Sequence, residues 1–109
     1  MKKHCLALDL KDDKQLIEAY DAYHREVWPE VLESLTTSGI EHMEIYRIAN
    51  RLFMIIEVSD DFSFERKAQM DINNLKVQEW ETLMWKYQQA LPFAKTGEKW
   101  LPMEKVFEH

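Results

Sequence analysis

The chain reads as an α+β fold: one antiparallel sheet carrying helices on one face, in the order β-α-β-β-α-β. Three observations predict it. A period-two run lies near the start, two apolar strand-like runs are joined by a tight turn, and helix-spaced stretches flank that pair. This order is the split βαβ, or ferredoxin-like, arrangement.

Each element has its own signal. Leu6, Leu8 and Leu10 alternate with Ala7 and Asp9, so residues 4–10 form a strand. Lys11-Asp12-Asp13 then offers an aspartate as helix cap. Leu16, Tyr20, Tyr23, Val27, Val31 and Leu35 recur at three or four, which predicts a helix over 14–37. It is bent at Pro29, which has no backbone N–H to donate, and ended by Thr36-Thr37-Ser38-Gly39. Residues 40–48 and 52–58 are strands, and Ala49-Asn50-Arg51 makes them a hairpin. A short helix opens at Asp60-Asp61-Phe62-Ser63 and runs to about 70; a longer one spans 75–90, before Pro92. Lys95-Thr96-Gly97-Glu98-Lys99 is a polar loop, and residues 103–107 make the last strand.

In this arrangement the helices cover one sheet face and the other should alternate with polar residues. Leu52-Phe53-Met54-Ile55-Ile56 is instead apolar on both faces. A second copy packed sheet against sheet covers such a surface, which predicts a homodimer of α/β-barrel type, or a larger even assembly. The competing explanation is the stretch 93–101 folded over the sheet.

At 109 residues the chain fits one domain, 1–109. A formal charge of −6 argues against a nucleic-acid partner. Cys5 is the single cysteine, so an intramolecular disulfide is excluded and a reducing compartment is suited. No apolar run approaches the ~18 residues of a membrane span. Met1-Lys2-Lys3-His4 leads into a run containing Asp9, not a signal-peptide core. The expectation is a cytoplasmic protein with neither nucleic acid nor membrane as partner.

The chemistry concentrates in Tyr20-x-x-x-His24-x-x-x-Trp28-Pro29-Glu30. Residues four apart share a helix face, so a phenol, an imidazole and an indole line one stripe. Histidine titrates near neutrality and both gives and takes protons there. A second aromatic group, Trp80-Glu81-x-x-Met84-Trp85, puts Trp80 and Met84 on one face and Glu81 and Trp85 on the next. Ring faces stack on sugar C–H surfaces while polar tips meet hydroxyls, so aromatics beside carboxylates and a histidine point to a neutral, polyhydroxylated ligand. The plainer reading makes Tyr20, Trp28, Trp80 and Met84 core residues and His24 a satisfied, half-buried histidine. His42, placed on one strand face with Ile40 and Glu44, reads as partly exposed. Cys5 reads as an inert small hydrophobe. No His-Glu-x-x-His, paired cysteines or Asp-rich loop suggests a metal. With only Gly39 and Gly97, there is no phosphate-binding glycine loop.

The first motif, together with Gly39, Ile45-Tyr46, Leu52-Phe53-Met54 then Glu57, and Gln78-x-Trp80, resembles the L-rhamnose mutarotase family nearly end to end. The resemblance implies interconversion of the α and β anomers of a 6-deoxy-L-sugar, without cofactor, by a dimer of ferredoxin-like subunits. By position it makes His24 the proton donor, Tyr20 a substrate contact, and Trp80 the first of two adjacent site tryptophans. Two departures follow: Glu81 stands where the second tryptophan would be, and Met43 where a tyrosine would be. Met43-Glu44-Ile45-Tyr46-Arg47, Asp61-Phe62-Ser63-Phe64-Glu65 and Gly97-Glu98-Lys99-Trp100 resemble the branch associated with L-fucose, which puts fucose ahead of rhamnose.

Mutarotation needs a base at the anomeric hydroxyl and an acid at the ring oxygen, with the roles reversed on closure. The expected acid is His24. The expected base is Glu81, with water or Tyr20 as alternatives. Tyr20, Trp28, Trp80 and Met43 are the expected sugar contacts. Two other classes share this architecture: a dimeric α+β-barrel monooxygenase or haem-binding protein, and a non-catalytic sugar-binding module.

Overall fold

The computed structural model describes residues 2–109. The strands are β1 (Lys2–Leu10), β2 (Ile40–Ile48), β3 (Arg51–Val58), β4 (Gln88–Gln89) and β5 (Leu101–Pro102). The helices are α1 (Lys14–His24), α2 (Pro29–Thr37), α3 (Phe64–Ile72) and α4 (Leu75–Met84). The sheet is antiparallel in the order β2-β3-β1-β4, with β5 also on β1. The α+β, ferredoxin-like order is therefore present, with each helical leg divided in two.

Local chemistry sets the helix starts. Asp13, Ser63 and Asn74 cap α1, α3 and α4, each side-chain oxygen accepting a backbone N–H three residues on. Pro29 does not bend a helix but begins one. Its ring excludes the helical conformation from Trp28, whose ψ is 136°, so α1 stops at His24 and residues 25–28 form a turn. Gly39 ends the α2 leg at φ 99°, a conformation that suits glycine.

The C-terminal third departs further from expectation. α4 stops at Met84, because i+3 bonds from Lys86 to Leu83 and from Tyr87 to Met84 tighten its last turn. Tyr87 then accepts the Lys11 N–H through its carbonyl, and Gln88 pairs with Leu10 in β1. The final strand is residues 101–102, not 103–107. Leu101 and Pro102 take the place beside Ala7 and Leu6. Beyond Met103, whose N–H meets the Cys5 carbonyl at 2.7 Å, the chain leaves the sheet; Val106 and Phe107 are exposed.

Register explains the two faces. Leu6, Leu8 and Leu10 of β1 and Leu52, Met54, Ile56 and Val58 of β3 are buried on the helix side. Phe53 and Ile55 point the other way, opposite Ala7 and Cys5, and are only half-buried. Phe93, in the stretch considered as a cover, is itself 76% exposed, and Trp100 packs against the helix-side core. That stretch therefore does not close the face. A register shift between Ile40 and His42 corrects another expectation. His42 and Glu44 lie on the open face, while Ile40 belongs to the core, so the bulge separates residues that strict alternation had placed together.

The helix-side core has two clusters that share Ile45 and Trp100 at their margins. One joins Leu8, Leu10 and Leu52 to Tyr20, Val31, Trp80 and Met84, from α1, α2 and α4. Arg47 of β2 grips Asp21 of α1 through two N–H···O bonds of 3.1 and 2.7 Å. That pair fixes the helix bearing His24 against the sheet. No helix among the described residues is long and apolar enough to cross a membrane.

Candidate active site

Because α1 ends at His24, its imidazole stands at a helix C-terminus, where carbonyls lack amide partners. Nδ1 lies 2.9 Å from the Tyr20 carbonyl oxygen. A carbonyl only accepts, so Nδ1 carries the hydrogen, and in the neutral ring Nε2 holds the lone pair. Burial lowers the His24 pKa from 6.5, outweighing the hydrogen bond to Tyr20 and the charge of Asp21. The ring is thus mostly neutral at pH 7, ready to take a proton at Nε2 and return it.

Two aromatic rings pack against this nitrogen-bearing ring, and a third packs against one of them. Tyr20 is 4.2 Å away by centroids and tilted by 30°, and Trp80 is 5.6 Å away at 65°. Trp28 in turn meets Trp80 edge-on at 5.2 Å. Tyr20 and Trp80 are buried to 3% and 7% exposure. For these two the core reading and the site reading hold together: they are core residues that also hold the histidine in place.

Tyr20 does not suit the role of base. Burial drives its pKa well above the ordinary phenol value, against the hydrogen bond from Gln88 and with the charges of Asp21 and Glu81 adding to the rise. The phenol stays protonated at neutral pH, which leaves it a hydrogen-bonding and packing part. Glu81 lies near enough for its charge to act on that hydroxyl. Its side chain is 42% exposed and ion-paired with Lys99, whose Nζ also donates to the Glu81 carbonyl at 3.3 Å.

The fold brings Tyr20, His24, Trp28 and Trp80 together from α1, the turn after it, and α4, while Glu81, next to Trp80 on α4, acts on Tyr20 through its charge. Met43 is on the helix side of β2, in the second cluster. Sequence reasoning missed Gln88 and Lys99. Gln88 is buried in a two-residue strand, and Lys99 is 18 positions from Glu81, so neither pairing leaves a spacing signal. No group of three or more His, Cys, Asp or Glu side chains among the described residues could hold a metal ion.

A concavity of about 670 Å³ opens elsewhere, along the outer side of α1 between Tyr23, Glu26, Trp28 and Tyr87. His24 does not line it. Trp28 is the one residue it shares with the aromatic group.

An antiparallel sheet with helices on one face, carrying a histidine packed among aromatics at a helix end, defines a ferredoxin-like α+β protein. A family model described as L-rhamnose mutarotase matches residues 3–109, and the chain belongs to that family. An L-fucose mutarotase of Xanthomonas campestris pv. campestris is 44% identical over 109 residues, covering 98% of this chain and 87% of that protein. An L-rhamnose mutarotase of Oceanobacillus iheyensis is 29% identical over 99 residues, covering 89% and 84%. The crystal structure of an L-rhamnose mutarotase from Formosa agariphila superposes with a TM-score of 0.73 at 24% identity, covering 100% of this chain and 99% of that one, a likeness of fold.

Proposed function

We propose that this chain is a single mutarotase domain, 1–109, interconverting the α and β anomers of a 6-deoxy-L-sugar, with L-fucose preferred to L-rhamnose. Family membership supports the reaction, and the 44% identity to an L-fucose mutarotase supports the order of sugars. It also disfavours the haem, oxygenase and inert-module readings of the same architecture. The observation that carries the mechanism is the Nδ1–H bond of His24 to the Tyr20 carbonyl, which leaves Nε2 as the proton-transfer atom.

In the ring-opening step the imidazolium form of His24, the minor species at pH 7, delivers its Nε2 proton to the ring oxygen, and Glu81 takes the proton of the anomeric hydroxyl. The C1–O5 bond breaks as the C1 carbonyl forms. Rotation about C1–C2 exposes the other carbonyl face, and closure returns both protons. Tyr20, Trp28 and Trp80 pack against the C–H surfaces of the pyranose and its methyl group, and Met43 replaces a polar contact with an apolar one. A positioned acid–base pair contributes on the order of 10²–10⁴-fold. No cofactor enters this scheme.

The same reading includes a homodimer formed through the open sheet face around Phe53 and Ile55, and work in the cytoplasm, the reducing compartment that a lone Cys5 suits. Saturation-transfer NMR on L-fucose, L-rhamnose and D-glucose tests the function. The expected result is anomer exchange accelerated most for fucose and then for rhamnose. Faster exchange of rhamnose would reverse the order, and no acceleration of either would refute the reaction.

A further inference from the structure

We propose that Lys99 is a positioning residue for Glu81, fixing the carboxylate that meets the sugar; the inference rests on Glu81 acting as the base. The Lys99 ammonium is held from three sides. It bonds the Glu81 carboxylate, donates to the Glu81 backbone carbonyl at 3.3 Å, and sits 4.8 Å from the Trp85 ring centroid. Burial within the pair is unequal: the lysine side chain is 13% exposed and the glutamate 42%. An ion pair exposed on both sides would leave both partners mobile. Here the cation is the anchored member and the carboxylate the one it restrains.

The backbone around Lys99 is equally fixed. Glu98 N–H bonds the Lys95 carbonyl at 3.0 Å, and the Glu98 carboxylate accepts the Lys95 N–H at 2.7 Å, a turn that Gly97 permits at φ 84°. On the other side Trp100 packs against both core clusters. Lys99 is thus presented from a stretch tied down at both ends. Its bond engages Oε2 of Glu81, and among the described residues no hydrogen bond engages Oε1. The restrained carboxylate therefore keeps one oxygen for a sugar hydroxyl. A base must sit within hydrogen-bond reach of its proton, and a shift of ~1 Å costs up to ~10²-fold, so the tether matters to rate.

The test is a double-mutant cycle on the full chain, read by saturation-transfer NMR over a range of L-fucose concentrations. Lys99→Met should lower exchange at saturating sugar by roughly ten- to a hundredfold with KM little changed, and Lys99→Arg should recover part of the loss. Lys99→Met/Glu81→Gln should be no slower than Glu81→Gln alone, since the lysine acts through the glutamate. Losses that multiply would mark a merely structural role and overturn the proposal, as would unchanged exchange in Lys99→Met. Should Lys99→Met fail to fold, Lys99→Gln takes its place in the cycle. Unimpaired Glu81→Gln removes Glu81 as base and this inference with it; impaired Glu81→Gln beside unimpaired Lys99→Met removes Lys99 alone.

Discussion

His24 is held twice by Tyr20: the two rings lie 4.2 Å apart, and His24 Nδ1 meets the Tyr20 carbonyl at 2.9 Å. One contact fixes the plane of the imidazole and the other fixes its tautomer. Tyr20 is itself buried in the core, 3% exposed. A single turn of α1 therefore aims Nε2 without help from any residue that must move.

Replacing that ring should separate activity from folding. His24→Gln is expected to lower anomer exchange by ~10²–10⁴-fold, the usual contribution of a positioned proton-transfer group. The lost bond to the Tyr20 carbonyl costs only about 0.5–1.5 kcal/mol of stability. Exchange NMR and denaturant unfolding of the same sample measure the two effects.

Burial of His24 also predicts how stability depends on pH. Its folded pKa lies below the 6.5 of the unfolded chain. Between those values the unfolded state binds a proton that the folded state does not, so stability rises with pH across the window. It is lost as pH falls below 6.5 toward the folded value. Thermal unfolding against pH should show this slope in the wild type and a shallower one in His24→Gln. Equal slopes would mean that the ring is not held neutral by the fold.

Gly39 controls where β2 begins, and with it which side chains of that strand face the helices. At φ 99° a β-carbon is strained, and one built there would sit 2.7 Å from Ser59 Oγ. Gly39→Ala should destabilise the protein by about 1–3 kcal/mol, read as a lower denaturant midpoint with an unchanged m-value.

The open sheet face yields a prediction about assembly. Ile55 is half-buried and pairs with Cys5 and Glu44 across the strands. In the homodimer reading, Ile55→Lys buries an unpaired charge at the centre of the interface. Sedimentation should then show a dimer for the wild type and a shift toward monomer for the variant. A wild-type monomer would contradict the dimer.

Much of this was legible in the residues, and the failures have physical causes. Period-two leucines in β1 and the apolar run of β3 are strong signals because both elements carry buried faces. The Tyr20, His24 and Trp28 stripe was readable because spacing of four is a property of one helix, although the helix stops at His24 and Trp28 arrives from the turn. Pro29 reads as a kink in the sequence and begins a helix in the structure, because proline at a first helical position and proline at a bend share the same flanking pattern. Residues 88–89 and 101–102 could not be found by periodicity, since two residues have no period. Their pairing is set by the Tyr87 carbonyl, Met103 N–H and the free side of β1. The bulge at 40–42 was hidden for a similar reason, and it decided the faces of His42 and Met43.

The most direct test is a crystal structure with L-fucose bound. The account predicts His24 Nε2 within ~2.6–3.2 Å of the pyranose ring oxygen, with Nδ1 still on the Tyr20 carbonyl. A sugar bound with that nitrogen turned aside, or beyond the reach of one bridging water, would contradict it.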